Sequence, residues 1–385
     1  MKVSNISLGL FNHTGGPTKT VGDFKCALNS ELYAFCEQRI LKKHELAVGR
    51  ANPVISSPVP ILSQFCYARK AAKKAEAAVR ESSLVVCHGF YRYHALWTHK
   101  VCKTAGVPYW FVPHGILDPW VMQKNRWIKQ LYWKFGGRQF LQDASTVIFS
   151  ASAERDKAAS QFDLPGAEVI PWPVELVDLT IREEAREQIR SQLGIPQDAR
   201  VLLYFGRLNL MKRPLEIVEA FAKANGVDAH LIIVGNESGI TKAACMQAAR
   251  KHGIEKKVHC VGAVYGEAKY HYLHASDAYI SFSYRENFNH TAAESLAAGL
   301  PVILSPGNDL RSELSGVGCC LNIEDDSLQS AVKVIEEFND MDLLTLHEMG
   351  VFGRKWVESN LSFDLFKERI IELHKNHAKT ESDFI

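Results

Sequence analysis

Short hydrophobic runs recur along the chain, each followed by a polar or glycine-bearing turn and then by apolar positions at helical spacing. In the first half, residues 3–11, 83–88, 109–112 and 145–150 read as strands, and 18–36, 68–80, 91–105 and 153–161 as helices. The second half continues with strands at 200–205, 229–235, 258–262, 278–282 and 302–305, with helices between them and at 327–339, 343–358 and 363–375. Continuous apolar runs suit strands buried on both faces, and their alternation with helices predicts an α/β fold built on parallel sheets. In such sheets, ligands meet the carboxyl ends of the strands. Chemistry is therefore sought where each run stops.

The first run ends at Gly15-Gly16-Pro17, where glycine permits close approach of backbone to a phosphate and an ordinary tight turn fits as well. The tail Pro17-Thr18-Lys19-Thr20 lacks P-loop spacing, which excludes a kinase or ATPase of that type. Run 109–112 ends at Pro113-His114-Gly115, so His114 stands either at the chemistry or bonded to loop backbone. Run 200–205 leads to Gly206-Arg207 and then Lys212-Arg213-Pro214, two cations, Arg207 and Lys212, able to neutralise a diphosphate. Run 278–282 passes through Arg285-Glu286-Asn287-Phe288-Asn289-His290 into an Ala-rich helix carrying Glu294. A loop entering a helix binds anions through unpaired N–H groups and the helix dipole. Two carboxylates beside such a site suggest a phosphorylated sugar.

Length and 46% hydrophobic residues allow two domains, with a boundary near Pro171-Trp172-Pro173. Net charge is only +2, but residues 1–171 carry 22 Lys/Arg against 12 Asp/Glu, and residues 172–385 carry 23 against 31. The halves thus expect different partners. Residues 120–140 hold Lys124, Arg126, Lys129, Lys134 and Arg138, no acid, and five aromatics of note: Trp120, Trp127, Tyr132, Trp133 and Phe135. Two readings stand: an interfacial helix on anionic lipid, or aromatics buried in the domain. No nucleic-acid module accompanies the basic charge, so no nucleic-acid partner is expected. Nine scattered cysteines without a C-x-x-C pair, no signal peptide and no spanning run predict a cytoplasmic protein, with the inner face of the plasma membrane as a peripheral location.

Gly206, Arg207, Lys212 and the Glu286/Glu294 pair, followed by Ala297-Ala298-Gly299-Leu300-Pro301-Val302, resemble the carboxyl half of the retaining glycosyltransferases of family 4. Gly15-Gly16 and Pro113-His114-Gly115 are similar to that family's amino-terminal donor loop and active-site histidine. Residues 113–120 further resemble bacterial surface-polysaccharide enzymes, including those of cyanobacterial heterocyst envelopes. The resemblance implies a GT-B fold, two Rossmann-like domains with parallel sheets facing a cleft: 1–171, joined by a terminal helix at 362–385, on the acceptor side, and 172–361 on the donor side.

It also implies roles. Arg207 and Lys212 would hold the donor diphosphate, Glu294 the ribose hydroxyls, and Glu286 the transferred sugar. Backbone amides of Phe288, Asn289 and His290 would line sugar and phosphate, Gly16 would approach the diphosphate, Val264 would meet the base, and His114 would sit over the sugar. Asn287 and Asn289 stand where the family commonly has glycine; their side chains would add polar groups near the sugar, and asparagine tolerates the left-handed backbone that glycine serves. Trp172-Pro173 replaces the family's usual Asn-Gly. The expected activity is metal-independent transfer of a hexose, glucose from UDP-glucose, to a lipid-linked or polysaccharide acceptor, without a cofactor. No Asp-x-Asp lies in a suitable loop, and His271 and His274 read as helix residues. A sugar-nucleotide epimerase and a silent sugar-binding subunit are the alternatives.

Overall fold

The computed structural model describes residues 2–9, 16–41, 51–123, 125–224 and 228–382. The chain divides into two compact units, Met1–Pro173 with Phe363–Ile385, and Val174–Ser362.

The first unit is a seven-stranded parallel sheet of β1 (Val3–Leu8), β2 (Glu31–Cys36), β3 (Asn52–Ile55), β4 (Leu84–His88), β5 (Tyr109–Val112), β6 (Thr146–Phe149) and β7 (Ala167–Val169), in the order β3-β2-β1-β4-β5-β6-β7. β4, β5 and β6 are buried along their whole length, as continuous apolar runs in a sheet covered on both faces should be. One core joins Val85, Phe90, Phe111 and Phe149 to the helices packed on them. The helix expected over 18–36 is instead a helix at Gly16–Ala27 followed by β2. Asn29, at φ 46°, breaks the helix in a left-handed turn, and the apolar Leu32-Tyr33-Ala34-Phe35-Cys36 run fills a buried strand between β1 and β3.

The aromatic basic stretch is also broken. Helices Pro119–Gln123 and Arg126–Tyr132 are followed by a kink in which Gly136 has φ 124°, and by the helix Arg138–Gln142. A side chain at Gly137 would strike the Tyr132 ring at 2.8 Å, so the glycine pair is what lets the chain fold back onto that ring. Tyr132 and Trp133 turn inward against Phe90, while Trp127 and Phe135 stay 70% and 69% exposed, together with Trp120, Ile128 and Leu131. The aromatics therefore split: some build the core and others cover the surface. Lys124 lies outside the described residues.

The second unit holds β8 (Arg200–Phe205), β9 (Ala229–Val234), β10 (Val258–Gly262), β11 (Ala278–Ser281), β12 (Val302–Leu304) and β13 (Cys320–Asn322), all parallel, in the order β10-β9-β8-β11-β12-β13. Its order reverses between β8 and β11, and a crevice opens at the carboxyl ends of two such neighbours because their crossover helices leave in opposite directions. At the opposite edge, the buried Arg190 donates to the carbonyls of Ala275, Pro196, Gln197 and Ala199 and to Asp277, which also accepts from Arg186 and from the backbone of Val201. That network ties the amino ends of β8 and β11 together.

Candidate functional site

In the second unit Arg207, Lys212 and residues 286–289 fall on the two loops that leave β8 and β11, at the switch point. The β8 loop is shaped by backbone. A Cβ on Gly235 would lie 1.7 Å from the Gly206 carbonyl, so the β8 and β9 exits cross in contact, and Tyr204 anchors the turn by donating to the Arg207 carbonyl at 2.7 Å. Asn209 accepts from the Lys212 N–H at 3.0 Å and closes the turn before the helix Pro214–Lys223. This leaves the Arg207 side chain exposed and brings Lys212 across to Glu286, with which it forms an ion pair.

Glu286 belongs to a loop locked onto the exit of β12. Its N–H donates to the Gly307 carbonyl at 2.8 Å, and its carbonyl accepts from the Asp309 N–H at 2.8 Å. Gly307 has no room for a side chain, since a Cβ would lie 2.4 Å from the Tyr284 carbonyl. Beneath the loop, Asn308 is a buried hub: its amide donates to the carbonyl of Ser281 and to Ser305, and its Oδ1 accepts from Ser281 and Asn289.

Asn289 departs from the expectation for its side chain. It caps the helix His290–Ala297, accepting from the Ala292 N–H at 3.3 Å, donates to Asn308 at 2.8 Å and is 3% exposed, so it faces the interior and not a bound sugar. Its φ of 52° is the left-handed conformation that asparagine accepts more readily than other non-glycine residues. Any ligand role for Asn289 falls to its backbone. Phe288 is buried and likewise offers only backbone, whereas Asn287 and His290 are partly exposed. Glu294, in the second turn of that helix, is held by Lys269 at 2.7 Å. Burial works against the Lys269 charge, but Glu294 outweighs it and holds the ammonium above its ordinary value. Val264 lies partly exposed in the loop after β10.

Sequence reading missed Arg213 as a structural group. It is buried at φ 55°, with its guanidinium 3.6 Å from the Phe282 ring and 4.2 Å from the Tyr284 ring, and it donates to the Asp326 carbonyl at 3.0 Å. It clamps the β11 exit onto the helix that follows Lys212. The Lys212-Arg213 pair thus splits, one cation to the site and its neighbour to the scaffold beneath it.

In the first unit, His114 follows β5 in a left-handed turn, φ 51°, and burial pushes its imidazole down to about 4. Gly115 donates its N–H to the buried Glu154 at 2.6 Å, which fixes the turn. The His114 ring meets His88 Nδ1 through Nε2 at 3.2 Å. Gly16 begins the helix Gly16–Ala27; Gly15 lies outside the described residues. Trp172 is buried within the first unit, against Phe24 and Phe366. Among the described residues, no group of three His, Cys, Asp or Glu side chains is arranged to hold a metal ion, and no helix is long and apolar enough to cross a membrane. His271 and His274 sit on the helix Ala268–His274, where His274 is buried and bonds the Asp178 carbonyl.

Comparison with known proteins follows the same division. Residues 27–174 match the glycosyl transferase 4-like domain, and residues 185–356 match glycosyl transferases group 1. The chain is 27% identical over 227 residues to the alpha-monoglucosyldiacylglycerol synthase of Streptococcus pneumoniae, covering 58% of this chain and 47% of that one. It is 27% identical over 185 residues to the D-inositol 3-phosphate glycosyltransferase of Xylanimonas cellulosilytica, covering 46% and 44%. The match thus spans about half the length of these curated relatives or less. In structure the chain is similar to Anabaena HepE solved with UDP, with a TM-score of 0.76, 16% identity and coverage of 98% of this chain and 100% of that one. It is similar also to a sucrose-phosphate synthase from Thermosynechococcus elongatus, with a TM-score of 0.75, 15% identity and coverage of 99% and 100%. Two family descriptions that follow one another along most of the sequence, and a backbone shared almost end to end with enzymes of that fold, place the chain among the GT-B glycosyltransferases of family 4.

Proposed function

We propose that the protein is a retaining hexosyltransferase that moves glucose from UDP-glucose to a lipid-linked or polysaccharide acceptor in surface-polysaccharide synthesis. The observation that carries the reading is the Lys212–Glu286 pair beside the amino end of the His290–Ala297 helix, with Arg207 exposed on the same β8 loop. In the free protein the two side chains satisfy each other. An arriving diphosphate draws Lys212 away and releases Glu286 to accept from a sugar hydroxyl, so donor binding switches the site from a neutral pair to two ligand contacts. Lys269 and Glu294 form a second such pair, from which Glu294 takes the ribose hydroxyls. HepE has been solved in complex with UDP-glucose, which supports the choice of donor.

Cleaving the sugar–phosphate bond leaves negative charge on the diphosphate and positive charge on the sugar. Arg207, Lys212 and the helix terminus stabilise the departing phosphate, the largest electrostatic contribution available and one that needs no metal. Glu286 positions the sugar and does not act as the nucleophile; a phosphate oxygen of the donor accepts the acceptor's proton on the same face, which retains configuration. His114 contacts the sugar, Gly16 approaches the diphosphate, and backbone at Val264, Phe288, Asn289 and His290 contacts base, sugar and phosphate, with Asn287 beside the sugar. The exposed Trp127, Ile128, Leu131 and Phe135 among Arg126, Lys134 and Arg138 suit an anionic membrane surface on the acceptor side.

Incubation with UDP-glucose and no acceptor tests the reading. Slow release of α-glucose and UDP, unaffected by EDTA, is the expected result. Formation of an isomerised nucleotide sugar would identify an epimerase instead.

A further inference from the structure

His114 is oriented by a chain of hydrogen bonds whose direction can be worked out from one end. The Asn5 amide nitrogen lies against Ser30 Oγ, which accepts from it. Asn5 therefore presents Oδ1 to His88 Nε2 at 3.0 Å, and His88 Nε2 must carry a proton to donate to it. His88 is fully enclosed, with its backbone carbonyl bonded by His94 at 3.0 Å, and burial together with the neighbouring His114 and His94 rings holds it well below the ordinary histidine value. A neutral His88 with its proton on Nε2 has a lone pair on Nδ1. That lone pair meets His114 Nε2 at 3.2 Å, so His114 donates its one proton inward. Ring centroids 5.4 Å apart and planes within 23° mean the two imidazoles lie side by side, with N–H···N running along the rings.

We propose that Asn5 and His88 are positioning residues that hold His114 as its Nε2–H tautomer, so that Nδ1 serves as a hydrogen-bond acceptor for a hydroxyl of the bound sugar. The two holds on the turn are independent. Glu154 fixes the backbone through the Gly115 N–H and is itself held by the N–H and hydroxyl of Ser150, while Asn5 and His88 fix the ring. A non-glycine residue in left-handed conformation is strained, and these contacts on both sides of His114 supply the compensation. His114 then works as a neutral acceptor, neither general acid nor cation, and a hydroxyl is the ligand group that matches a bare imidazole nitrogen. The choice of a sugar hydroxyl rests on the function proposed above; the tautomer does not.

The test uses the full chain with 15N-labelled histidine, and His114→Gln identifies the resonances. At pH 7.5 the wild type should show His114 with Nε2 protonated and Nδ1 bare; a protonated Nδ1 overturns the proposal. Asn5→Asp places a carboxylate against His88 Nε2–H, favours the imidazolium and makes His88 Nδ1 a donor, so the His114 proton should move to Nδ1. His88→Leu should give mixed tautomers and serves if the first variant folds poorly. An unchanged His114 tautomer in both variants removes the role of the relay. Affinity for UDP-glucose should fall about tenfold in Asn5→Asp while affinity for UDP stays the same, the size expected for one lost hydrogen bond. Equal affinities in variant and wild type, despite an inverted tautomer, sink the acceptor role. A wild type that binds no nucleotide sugar ends the functional reading alone.

Discussion

Replacing Asn289 separates its structural work from any contact with substrate. In Asn289→Gly the helix cap costs only a few tenths of a kcal/mol, because glycine is itself tolerated at that position. Losing the 2.8 Å bond to Asn308 and the 3.3 Å bond from Tyr279 costs about 1–2 kcal/mol together, since Asn308 Oδ1 keeps Ser281 as a donor. Relief of the left-handed backbone at φ 52° returns about 0.5–1 kcal/mol, leaving a net loss of roughly 1 kcal/mol. Asn289→Ala loses the same bonds, forfeits the cap at about 1 kcal/mol and adds about 1 kcal/mol of backbone strain, for a total of roughly 3–4 kcal/mol. The gap of roughly 2 kcal/mol between the variants is the diagnostic quantity, for it isolates conformation and capping from the shared bonds. Hydrogen exchange of peptides spanning 290–297 in the full chain measures it locally, which avoids treating two units as one unfolding transition. A panel of UDP-sugars run on Asn289→Gly should keep the wild-type order of preference. Wild-type protection together with a reordered panel would refute the reasoning and return the side chain to the sugar.

Three other outcomes follow from the same geometry. Arg213→Met should lower the stability of the second unit by about 3 kcal/mol, read by denaturant titration, because the Asp326 carbonyl and two aromatic faces lose their cation; Arg207→Met, at an exposed side chain, should leave stability within about 0.5 kcal/mol. Lys212→Met should reduce turnover by at least about a hundredfold, as expected for removing a charge that stabilises the leaving phosphate, and Glu286→Gln should do so chiefly through donor handling; full turnover in Glu286→Gln contradicts its assignment to the sugar. Burial pushes His94 and His114 down to about 4 and holds His88 well below its ordinary value. The unfolded chain then binds more protons than the folded one below the ordinary value of about 6.5, so stability is full above it and is lost as pH falls toward 4. Titration of the first unit by circular dichroism should show this loss, and a stability that rises between pH 6.5 and 4.5 would exclude neutral burial of these rings.

The sequence by itself determined the elements whose signals are local. The apolar runs that became β4, β5, β8, β9 and β11 and the exit loops carrying His114, Arg207 and Glu286 were legible in composition and spacing, because burial on two faces and turn chemistry act on neighbouring residues, whereas a left-handed place for asparagine followed only from the resemblance to a family that has glycine there. Where a short polar break separated two apolar segments, at Asn29-Ser30, periodicity merged a helix with β2, since only the slot between β1 and β3 selects the strand. Tertiary structure alone decided the strand order that makes β8 and β11 neighbours, and with it the meeting of Lys212 with Glu286, residues far apart in the chain. It decided too which of similar residues went inward: Asn289 rather than Asn287, Arg213 rather than Lys212, Tyr132 rather than Phe135. The residue types could not distinguish these pairs. The direction of each side chain depends on what packs against its loop, and those partners, Asn308, Phe282 and Phe90, come from other parts of the chain.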